Sequence, residues 1–401
     1  MGKFKDIRNR IFPVLVFISG IISVNIINAF RENDMESLLW YSIGLFSAVL
    51  PAVWIVFKKY NSKKTPVYQM NDYMIRKKPR IVLVGGGTGL STLLRGIKNY
   101  ADFDHENISA IVTVADDGGS SGKLRAEMSM IAPGDIRNCI VALSNEETLL
   151  SKLFNFRFRS TGDLSGHSFG NLFLAALSEL NGKNFEKAVE TACDILAVKG
   201  KIIPATLQSV DIGAVFEDGK KVLGESNIPY IDDGYKRISE IFIKPDNARA
   251  NPLAVKALHE ADAIVLGPGS LYTSIIPNLL FPSIRDAIMQ SEALKIYVCN
   301  IMTQPGETDG YSLSEHVRPI LRYIPESINF AIVNNGEMSY NLLEKYKDDG
   351  ALPVQFDENR LKSMNIQPVM QDLVLEEDYF RHDPDKLARL IIRLVEEYKN
   401  L

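Results

Sequence analysis

Five short runs of β-branched and aliphatic residues constrain the fold more than any other feature of this sequence. They are separated by helical patterns and occupy residues 80–84, 108–114, 262–266, 295–299 and 329–333. Each run is apolar on both faces, which is typical of strands that are covered on both sides in a parallel sheet. The helical patterns lie at 89–99, 136–153, 169–180, 185–198, 251–260, 278–292, 314–323 and 338–348. We therefore predict an α/β fold with a doubly wound, mostly parallel, Rossmann-like sheet, whose ligands bind at the carboxyl ends of the strands.

One segment departs from this alternation. Residues 212–225, IGAVFEDGKKVLGE, alternate in polarity around a Glu-Asp-Gly-Lys turn. Such a pattern predicts a small β-hairpin inserted into the α/β domain.

Two long uncharged segments precede the domain. Residues 11–30 and 37–57 contain no charged residue, and each is long enough to cross a hydrocarbon core of about 30 Å as a helix. Lysines and arginines flank the outer ends of the pair, whereas the connection carries three acids beside Arg31. The positive-inside tendency then places both termini and the main domain in the cytoplasm. A cleaved signal peptide is the alternative, but no small-residue cleavage site follows the first segment.

The predicted organisation therefore has three parts. Residues 1–60 form a two-helix transmembrane hairpin in the cell membrane, residues 61–79 form a polar, lysine-rich linker, and residues 80–401 form the cytosolic α/β domain.

Composition excludes several classes of function. Residues 1–79 carry 12 Lys and Arg against 5 Asp and Glu, which leaves 33 against 44 for the main domain. An acidic domain is unsuited to nucleic acid, because binding a phosphate backbone requires a basic surface. The three cysteines, Cys139, Cys193 and Cys299, have no paired spacing, so neither a disulfide framework nor a zinc site is expected.

A glycine-rich loop follows the first strand directly. Its residues are Gly85, Gly86, Gly87, Thr88 and Gly89, and a helix begins at Leu90. Glycines let the backbone approach an anion closely, and the free N–H groups of a helix start bind phosphate. The loop is neither a Rossmann fingerprint, which requires glycine at position 90, nor a Walker loop, which ends in Gly-Lys-Ser/Thr. We predict a phosphate-binding loop of another type.

The second strand ends in a pair of acids. Asp116 and Asp117 run into a turn made of Gly118, Gly119, Ser120 and Ser121. The carboxylates are candidate ligands for Mg²⁺ beside phosphate groups, and the turn offers hydrogen-bond donors. Two alternatives stay open: an acid at this position contacts the ribose in NAD-dependent dehydrogenases, and an acidic turn can simply cap the next helix.

Two polar motifs follow. In PGDIRN, Asp135 is a candidate N-cap, and Arg137 and Asn138 lie in the first helical turn, where they can face the same ligand. In SGHSFGN, the residues Gly166 to Gly170 fit the G-x-S-x-G pattern of a hydrolase nucleophile. No buried strand precedes this motif directly, so we instead predict that His167, Ser168 and Asn171 bind a ligand at the start of a helix.

A second glycine loop follows the third predicted strand. It comprises Gly267, Pro268, Gly269 and Ser270. Two such loops at one edge of a sheet suit a diphosphate. After the fourth strand, Asn300, Thr303, Gln304, Glu307 and Asp309 reach the same edge and suit the hydroxyl groups of a sugar.

Taken together, VGGGTGLS, TVADDGGSSGKLR, PGDIRN, LSGHSFGN, LGPGSLYTSIIPNLL and MTQPGETDGYS resemble the YvcK-type gluconeogenesis factors of the CofD-like superfamily. The resemblance extends from about residue 80 to 395. It implies a regulatory factor that binds a UDP-sugar such as UDP-N-acetylglucosamine and supports cell shape and cell-wall metabolism during gluconeogenic growth. It also implies that Tyr346 and Arg381 contact the nucleotide sugar. Cell-wall synthesis proteins are candidate partners, and a homodimer is a candidate assembly because α/β domains with a ligand crevice often pair.

The transferase members of the superfamily supply the main alternative. They use Mg²⁺ to transfer a phospholactyl-type group from a guanosine diphosphate derivative, with Asp116 and Asp117 as the corresponding metal ligands and candidate catalytic residues. Their first loop resembles Gly-Gly-Thr-Gly-Gly followed by a basic residue, whereas this chain has Gly89-Leu90-Ser91 at the end of that loop. This difference favours a nucleotide-sugar binder. An NAD-dependent dehydrogenase is the third alternative.

Overall fold

The computed structural model describes residues 78–100, 107–145, 147–159, 161–229 and 237–399. The predicted membrane spans at 11–30 and 37–57, and the predicted linker up to residue 77, lie outside these ranges. Within the described ranges, no helix has both the length and the apolar character needed to cross a membrane.

The strands and helices are numbered here in chain order. The strands are β1 (Ile81–Gly85), β2 (Ile108–Val112), β3 (Lys201–Pro204), β4 (Asp211–Phe216), β5 (Lys221–Leu223), β6 (Ile238–Lys244), β7 (Ala263–Leu266), β8 (Leu294–Val298), β9 (Phe330–Asn334), β10 (Gln367–Gln371), β11 (Val374–Glu376) and β12 (Phe380–His382). The helices are α1 (Gly87–Lys98), α2 (Gly119–Met128), α3 (Gly134–Leu143), α4 (Glu147–Phe154), α5 (Phe169–Leu180), α6 (Phe185–Ile195), α7 (Pro252–His259), α8 (Ile276–Leu279), α9 (Pro282–Gln290), α10 (Leu313–Tyr323), α11 (Tyr340–Asp348), α12 (Glu358–Ser363) and α13 (Pro384–Lys399).

The main sheet has seven strands in the order β10-β9-β8-β7-β1-β2-β3, and every neighbouring pair is parallel. All five predicted strands are present at its centre, and the predicted α/β fold is confirmed. The chain builds β1, β2 and β3 in one direction, then crosses to β7 and builds outward the other way. The strand order therefore reverses between β1 and β7, and a crevice at such a reversal is the usual ligand site of an open α/β sheet.

The core forms because the central strands are covered on both faces. Every residue of β1, β2 and β7 is buried. Helix α1 packs against both α3 and α13. Its contact with α13 is close: a Cβ atom at Gly96 would lie 1.9 Å from the backbone oxygen of Pro384. The absence of a side chain at Gly96 therefore sets the distance between the two helices.

The predicted hairpin is confirmed and belongs to a larger insertion. Strands β4, β5 and β6 form a separate antiparallel sheet in the order β5-β4-β6, and a short 3₁₀ turn at Glu225–Asn227 follows β5. The insertion is tied to α2, because Arg125 Nη2 donates to Asp211 Oδ1 at 2.6 Å. It is tied to α10 by an ion pair of 3.1 Å between Arg237 and Glu315.

Two predicted helices were wrong in extent. The pattern at 136–153 predicted one helix, but the chain turns to extended backbone at Ser144 and forms α3 and α4. The pattern at 278–292 also predicted one helix, whereas Phe281 is extended before Pro282 and separates α8 from α9. A residue that precedes proline is biased away from helical conformation.

The close contact at Gly96 yields a test of helix packing. We expect Gly96→Ala to lower the free energy of unfolding of the full chain by about 1–3 kcal/mol or more, because the added methyl group meets a backbone oxygen that cannot move aside. Helix propensity alone would stabilise this variant by about 1 kcal/mol, so the sign of the change is informative. Denaturant unfolding provides the measurement. The matched control is Gly162→Ala, whose methyl group has no neighbouring heavy atom within 4 Å; stabilisation by Gly96→Ala would contradict the packing of α1 on α13.

Candidate functional site

The two glycine loops predicted from the sequence touch each other at the carboxyl edge of the sheet. A Cβ atom at Gly89 would lie 2.6 Å from the backbone oxygen of Pro268 and 3.0 Å from the nitrogen of Gly269. The backbone N–H of Gly267 donates to the carbonyl of Val84 at 2.9 Å. The loops after β1 and β7 thus form one surface where the strand order reverses.

The first loop leads into a helix start with no side-chain cap. Gly86 is the N-cap of α1 and has extended backbone, and Gly87 has a φ of +63°, which favours glycine. Thr88 is exposed and Gly89 is half-buried, so the first turn of α1 borders the crevice. Uncapped N–H groups with the positive end of the helix dipole favour an anion at this position.

Asp135 occupies part of this anion-binding surface. Its Oδ2 lies 2.5 Å from the Cβ position of Gly86, beside the first turn of α1. Burial, followed by the negative charge of Asp116, raises the pKa of Asp135 to about 7. The prediction that Asp135 caps its own helix was wrong, since the N-cap of α3 is Pro133. Asp135 instead joins α3 to the first glycine loop.

The second loop is held by side chains that follow β8. Asn300 Oδ1 accepts a hydrogen bond from Gly269 N at 3.2 Å. The hydroxyl of Ser270 donates to Glu307 Oε2 at 2.5 Å and accepts from Thr273 at 2.8 Å. Burial raises the pKa of Glu307. Ser270 and Asn300 therefore fix the shape of the loop in this structure, as supports rather than as free donors.

The paired acids at the end of β2 have different surroundings. Asp116 Oδ1 accepts from Gly118 N at 2.9 Å, and its Oδ2 lies 2.5 Å from the Cβ position of Gly134. Asp117 Oδ1 instead accepts from Ser226 N, in the insertion, at 2.9 Å. Asp116 thus lies against the start of α3, whereas Asp117 fastens the insertion to the end of the sheet.

The SGHSFGN motif meets the Gly-Ser turn directly. His167 Nδ1 lies 3.3 Å from Ser120 Oγ, and Asn171 Nδ2 lies 3.3 Å from Ser121 Oγ. Ser168 is fully buried and is the N-cap of α5, with its Oγ accepting from Asn171 N at 3.3 Å. A buried capping serine is not a hydrolase nucleophile, because that role requires an exposed serine directly after a buried strand.

Two arginines give this side of the site positive charge. The buried Arg137 donates from Nη1 to Ser168 Oγ at 2.8 Å and from Nη2 to Asn138 Oδ1 at 2.8 Å. Burial, followed by the charge of Arg157, lowers the pKa of Arg137. The exposed Arg157 donates to the carbonyl of Gly166 at 3.0 Å. Arg157 was not predicted as a site residue, because a lone arginine in a polar segment belongs to no recognisable binding motif.

Tyr346 and Arg381 lie in a different cluster. Tyr346 stacks on Phe380 with ring centroids 5.3 Å apart, and its hydroxyl accepts from Phe380 N at 3.1 Å. Arg381 is exposed on β12. The cluster includes Ile301, next to Asn300, so it borders the end of β8. Among the described residues, no hydrogen bond joins either side chain to the glycine loops.

Glu225, in the 3₁₀ turn of the insertion, is an acid of the site that the sequence analysis missed. No motif surrounds it in the sequence, and its side chain is half-buried.

The insertion brings Glu225 towards the other acids of the site. Burial raises the pKa of Glu225 to about 9, and the charges of Asp135, Asp116, Asp117 and Glu307 add to the effect in that order. A carboxyl group with this pKa is protonated at neutral pH, so it can donate a hydrogen bond to a ligand oxygen.

A magnesium site made by protein groups alone does not fit these residues. No group of three or more metal-ligating side chains occurs within the described ranges. Asp117 is already bonded to the insertion, whereas Asp116 lies against the start of α3. Because Mg²⁺ is often held by one or two carboxylates together with substrate phosphates, Asp116 fits a cation that is shared with a bound diphosphate.

The raised pKa of Glu225 predicts how stability depends on pH. The pKa of Glu225 is about 9 in the folded protein, against 4.5 for an ordinary glutamate. Its protonation therefore contributes to the free energy of unfolding, and this contribution is fully present below pH 4.5 and is lost as the pH rises through 9. Glutamine is uncharged at every pH. We therefore expect Glu225→Gln to be more stable than the unmodified chain by an amount that grows from pH 4.5 to pH 9 and reaches a few kcal/mol, since each pKa unit corresponds to about 1.4 kcal/mol.

Thermal and denaturant unfolding of the full chain at several pH values, with EDTA present, provide the measurement. Glu217→Gln is the matched control, because Glu217 is an exposed carboxylate in the same insertion. A pH profile of Glu225→Gln that runs parallel to that of the unmodified chain would show that Glu225 is not desolvated.

Comparisons with known proteins agree with this architecture. The sequence profile of the family described as 2-phospho-L-lactate transferase CofD matches residues 81–374. A protein of Thermoanaerobacterium thermosulfurigenes named "Putative gluconeogenesis factor" is 47% identical over 329 residues, which cover 82% of this chain and 100% of that protein. The "Gluconeogenesis factor" of Bacillus subtilis is 44% identical over 323 residues, covering 80% of this chain and 99% of that protein.

A solved structure shows the same similarity in three dimensions. The crystal structure of a UPF0052 family member from Bacillus halodurans superposes with a TM-score of 0.74 at 44% sequence identity, and the match covers 79% of this chain and 99% of that one. The profile match, the relatives and the shared fold agree. The chain therefore belongs to the CofD family and, within it, to the YvcK-type gluconeogenesis factors.

Proposed function

We propose that this gluconeogenesis factor is a UDP-sugar-binding regulatory protein, with UDP-N-acetylglucosamine as the type of ligand, that supports cell shape and cell-wall metabolism during gluconeogenic growth. The contact between the two glycine loops at Gly89 and Pro268 carries the proposal. It creates a surface at the reversal of strand order where the uncapped start of α1 can face a diphosphate.

The charge of the crevice supports a ligand that both accepts and donates hydrogen bonds. With a pKa of about 9, Glu225 is neutral at pH 7, and with a pKa of about 7, Asp135 is about half-protonated there. The acids therefore repel a diphosphate less than their number suggests. Buried polar groups, including Ser120, Ser121 and Asn171, line the side next to α2. Sugar hydroxyls pair with both carboxyl and hydroxyl groups.

The second cluster suits the nucleoside or sugar end of the same ligand. Tyr346 presents a stacked aromatic surface with Phe380, and the exposed Arg381 adds positive charge beside it. Asn300 connects the two regions, since it holds Gly269 and precedes Ile301 of the cluster. An extended dinucleotide-like ligand can therefore run from the glycine loops towards β12.

A Mg²⁺-dependent transferase of the phospholactyl type is the second candidate. The family profile and the position of Asp116 favour it. In that reaction the cation would neutralise charge on the diphosphate of a guanosine derivative, and the chain would position the reactants. The dehydrogenase alternative has no support from the family to which the chain belongs.

Binding and turnover can be separated in one experiment. The full chain in detergent is incubated with UDP-N-acetylglucosamine, GDP or NAD, with and without Mg²⁺, and both the melting temperature and nucleotide release are recorded. We expect stabilisation by the UDP-sugar without release of UMP or UDP; a ligand at about 100 times its dissociation constant adds about 2.7 kcal/mol. Mg²⁺-dependent release of GMP with a deazaflavin acceptor would establish the transferase instead. Asp116→Asn should abolish that turnover but only weaken binding of a UDP-sugar.

The loop contact predicts a variant that loses binding. In Gly89→Ala the methyl group would lie 2.6 Å from the Pro268 oxygen, so the two loops must separate. We expect the melting temperature of the free protein to fall and the additional shift caused by the UDP-sugar to disappear. Gly162→Ala is again the control, since its methyl group meets no atom. A full ligand-induced shift in Gly89→Ala would show that the ligand does not bind at the loop contact.

The proposed location is the cell membrane, with the main domain and both termini in the cytoplasm. The uncharged segments 11–30 and 37–57 support it. We expect the full chain to stay in the membrane pellet after alkaline extraction and a chain that begins at residue 61 to be released. Recovery of the full chain in the supernatant would contradict the anchor. Cell-wall synthesis proteins and a second copy of the chain are the proposed partners.

A further inference from the structure

The imidazole of His167 is held in one position by its surroundings. The side chain is 2% exposed. The carbonyl of His167 accepts from Phe158 N at 3.0 Å, and its own N–H donates to Leu164 O at 3.1 Å. Nδ1 then lies 3.3 Å from Ser120 Oγ, in the first turn of α2. Which of these two groups donates determines whether the other ring nitrogen, Nε2, carries the proton.

The hydrogen bonds of Ser120 decide the direction. Ser120 Oγ accepts a hydrogen bond from the backbone N–H of Ser168 at 3.2 Å. A backbone N–H group can only donate, so the direction of this bond is fixed. Ser120 is 2% exposed, and within the described ranges His167 Nδ1 is the remaining partner of its hydroxyl. Leaving a buried hydroxyl hydrogen without an acceptor is unfavourable. The arrangement that satisfies every group has Ser120 donating to Nδ1.

We infer that Ser120 is a positioning residue that holds neutral His167 in the tautomer with its proton on Nε2, so that Nε2–H donates a hydrogen bond to an anionic oxygen of the ligand. Nε2 has no hydrogen-bond partner within the described ranges, and it is not among the buried atoms that lack one. It therefore reaches accessible space. The identity of the ligand rests on the proposed function.

The surroundings of His167 favour an anion. Helix α2 has ten residues and no side-chain cap at its N-terminus, and Arg157 Nη1 lies 3.9 Å from the Cβ position of Gly119. A donor at Nε2 suits a phosphate oxygen, whereas a general base would need a bare nitrogen there. The tautomer thus makes His167 a ligand-binding group and not a proton acceptor.

Nuclear magnetic resonance of the ligand-free full chain tests the tautomer directly. The chain is labelled with ¹⁵N-histidine, and the spectrum is recorded at about pH 8.5, where an ordinary imidazole is neutral. His167→Gln identifies the signals of His167. We expect a protonated Nε2 and a bare Nδ1, and a mixture of tautomers in Ser120→Ala. A protonated Nδ1 in the unmodified chain would by itself overturn the inference, whatever the spectrum of Ser120→Ala shows.

Addition of UDP tests the role of the donor. We expect the Nε2 signal to shift on binding, and His167→Ala to bind UDP at least about tenfold more weakly, as for the loss of a hydrogen bond to a charged group. His167→Gln, which keeps a donor at a similar position, should recover part of the affinity. Binding of UDP with an unchanged Nε2 signal would overturn the contact. Failure of UDP to bind at all would overturn the proposed function and the donor role together, while the tautomer would stand on the ligand-free spectrum.

Discussion

The site depends on the direct contact between the loop after β1 and the loop after β7. These strands are neighbours, but the chain leaves them towards opposite edges of the sheet, so a crevice opens between the paths that follow them. Only a residue without a side chain allows the backbone of Gly89 to lie against Pro268. The contact brings two glycine loops together, although more than 170 residues separate them in sequence.

The insertion completes the crevice by linking its two sides. Asp117 and Arg125 bind it on the side of α2, and Arg237 binds it to α10 on the other. A Cβ atom at Gly306 would lie 2.4 Å from the oxygen of Pro229, so the segment after β8 also packs against it. The two adjacent acids therefore have separate surroundings: Asp117 holds the insertion, whereas Asp116 lies against the start of α3.

The sequence predicted what depends on local pattern and on the geometry of parallel sheets. The central strands were evident because both of their faces are buried, and the glycine loops and polar motifs were expected to meet because they follow those strands. The edge strand β10 was missed because its residues, QPVMQ, are partly exposed and interrupted by proline. Glu225 and the approach of Asp135 to Gly86 were missed for another reason, since both depend on contacts between segments that are distant in sequence.

The acids beside the glycine loops bear on whether this site would only bind a diphosphate or would also transfer a group from it. A diphosphate that enters beside Asp116, Asp135, Glu225 and Glu307 needs positive charge or protons to offset the repulsion. If protons offset the repulsion, ligand binding raises the pKa values of Asp135 and Glu225 further, and the complex takes up protons near neutral pH. If a cation beside Asp116 offsets the repulsion instead, the same carboxyl groups lose protons, and the cation polarises the diphosphate towards cleavage. The raised pKa values of Asp135 and Glu225 in the ligand-free site agree with the first case, and so with the proposal of a protein that binds a nucleotide sugar without cleaving it.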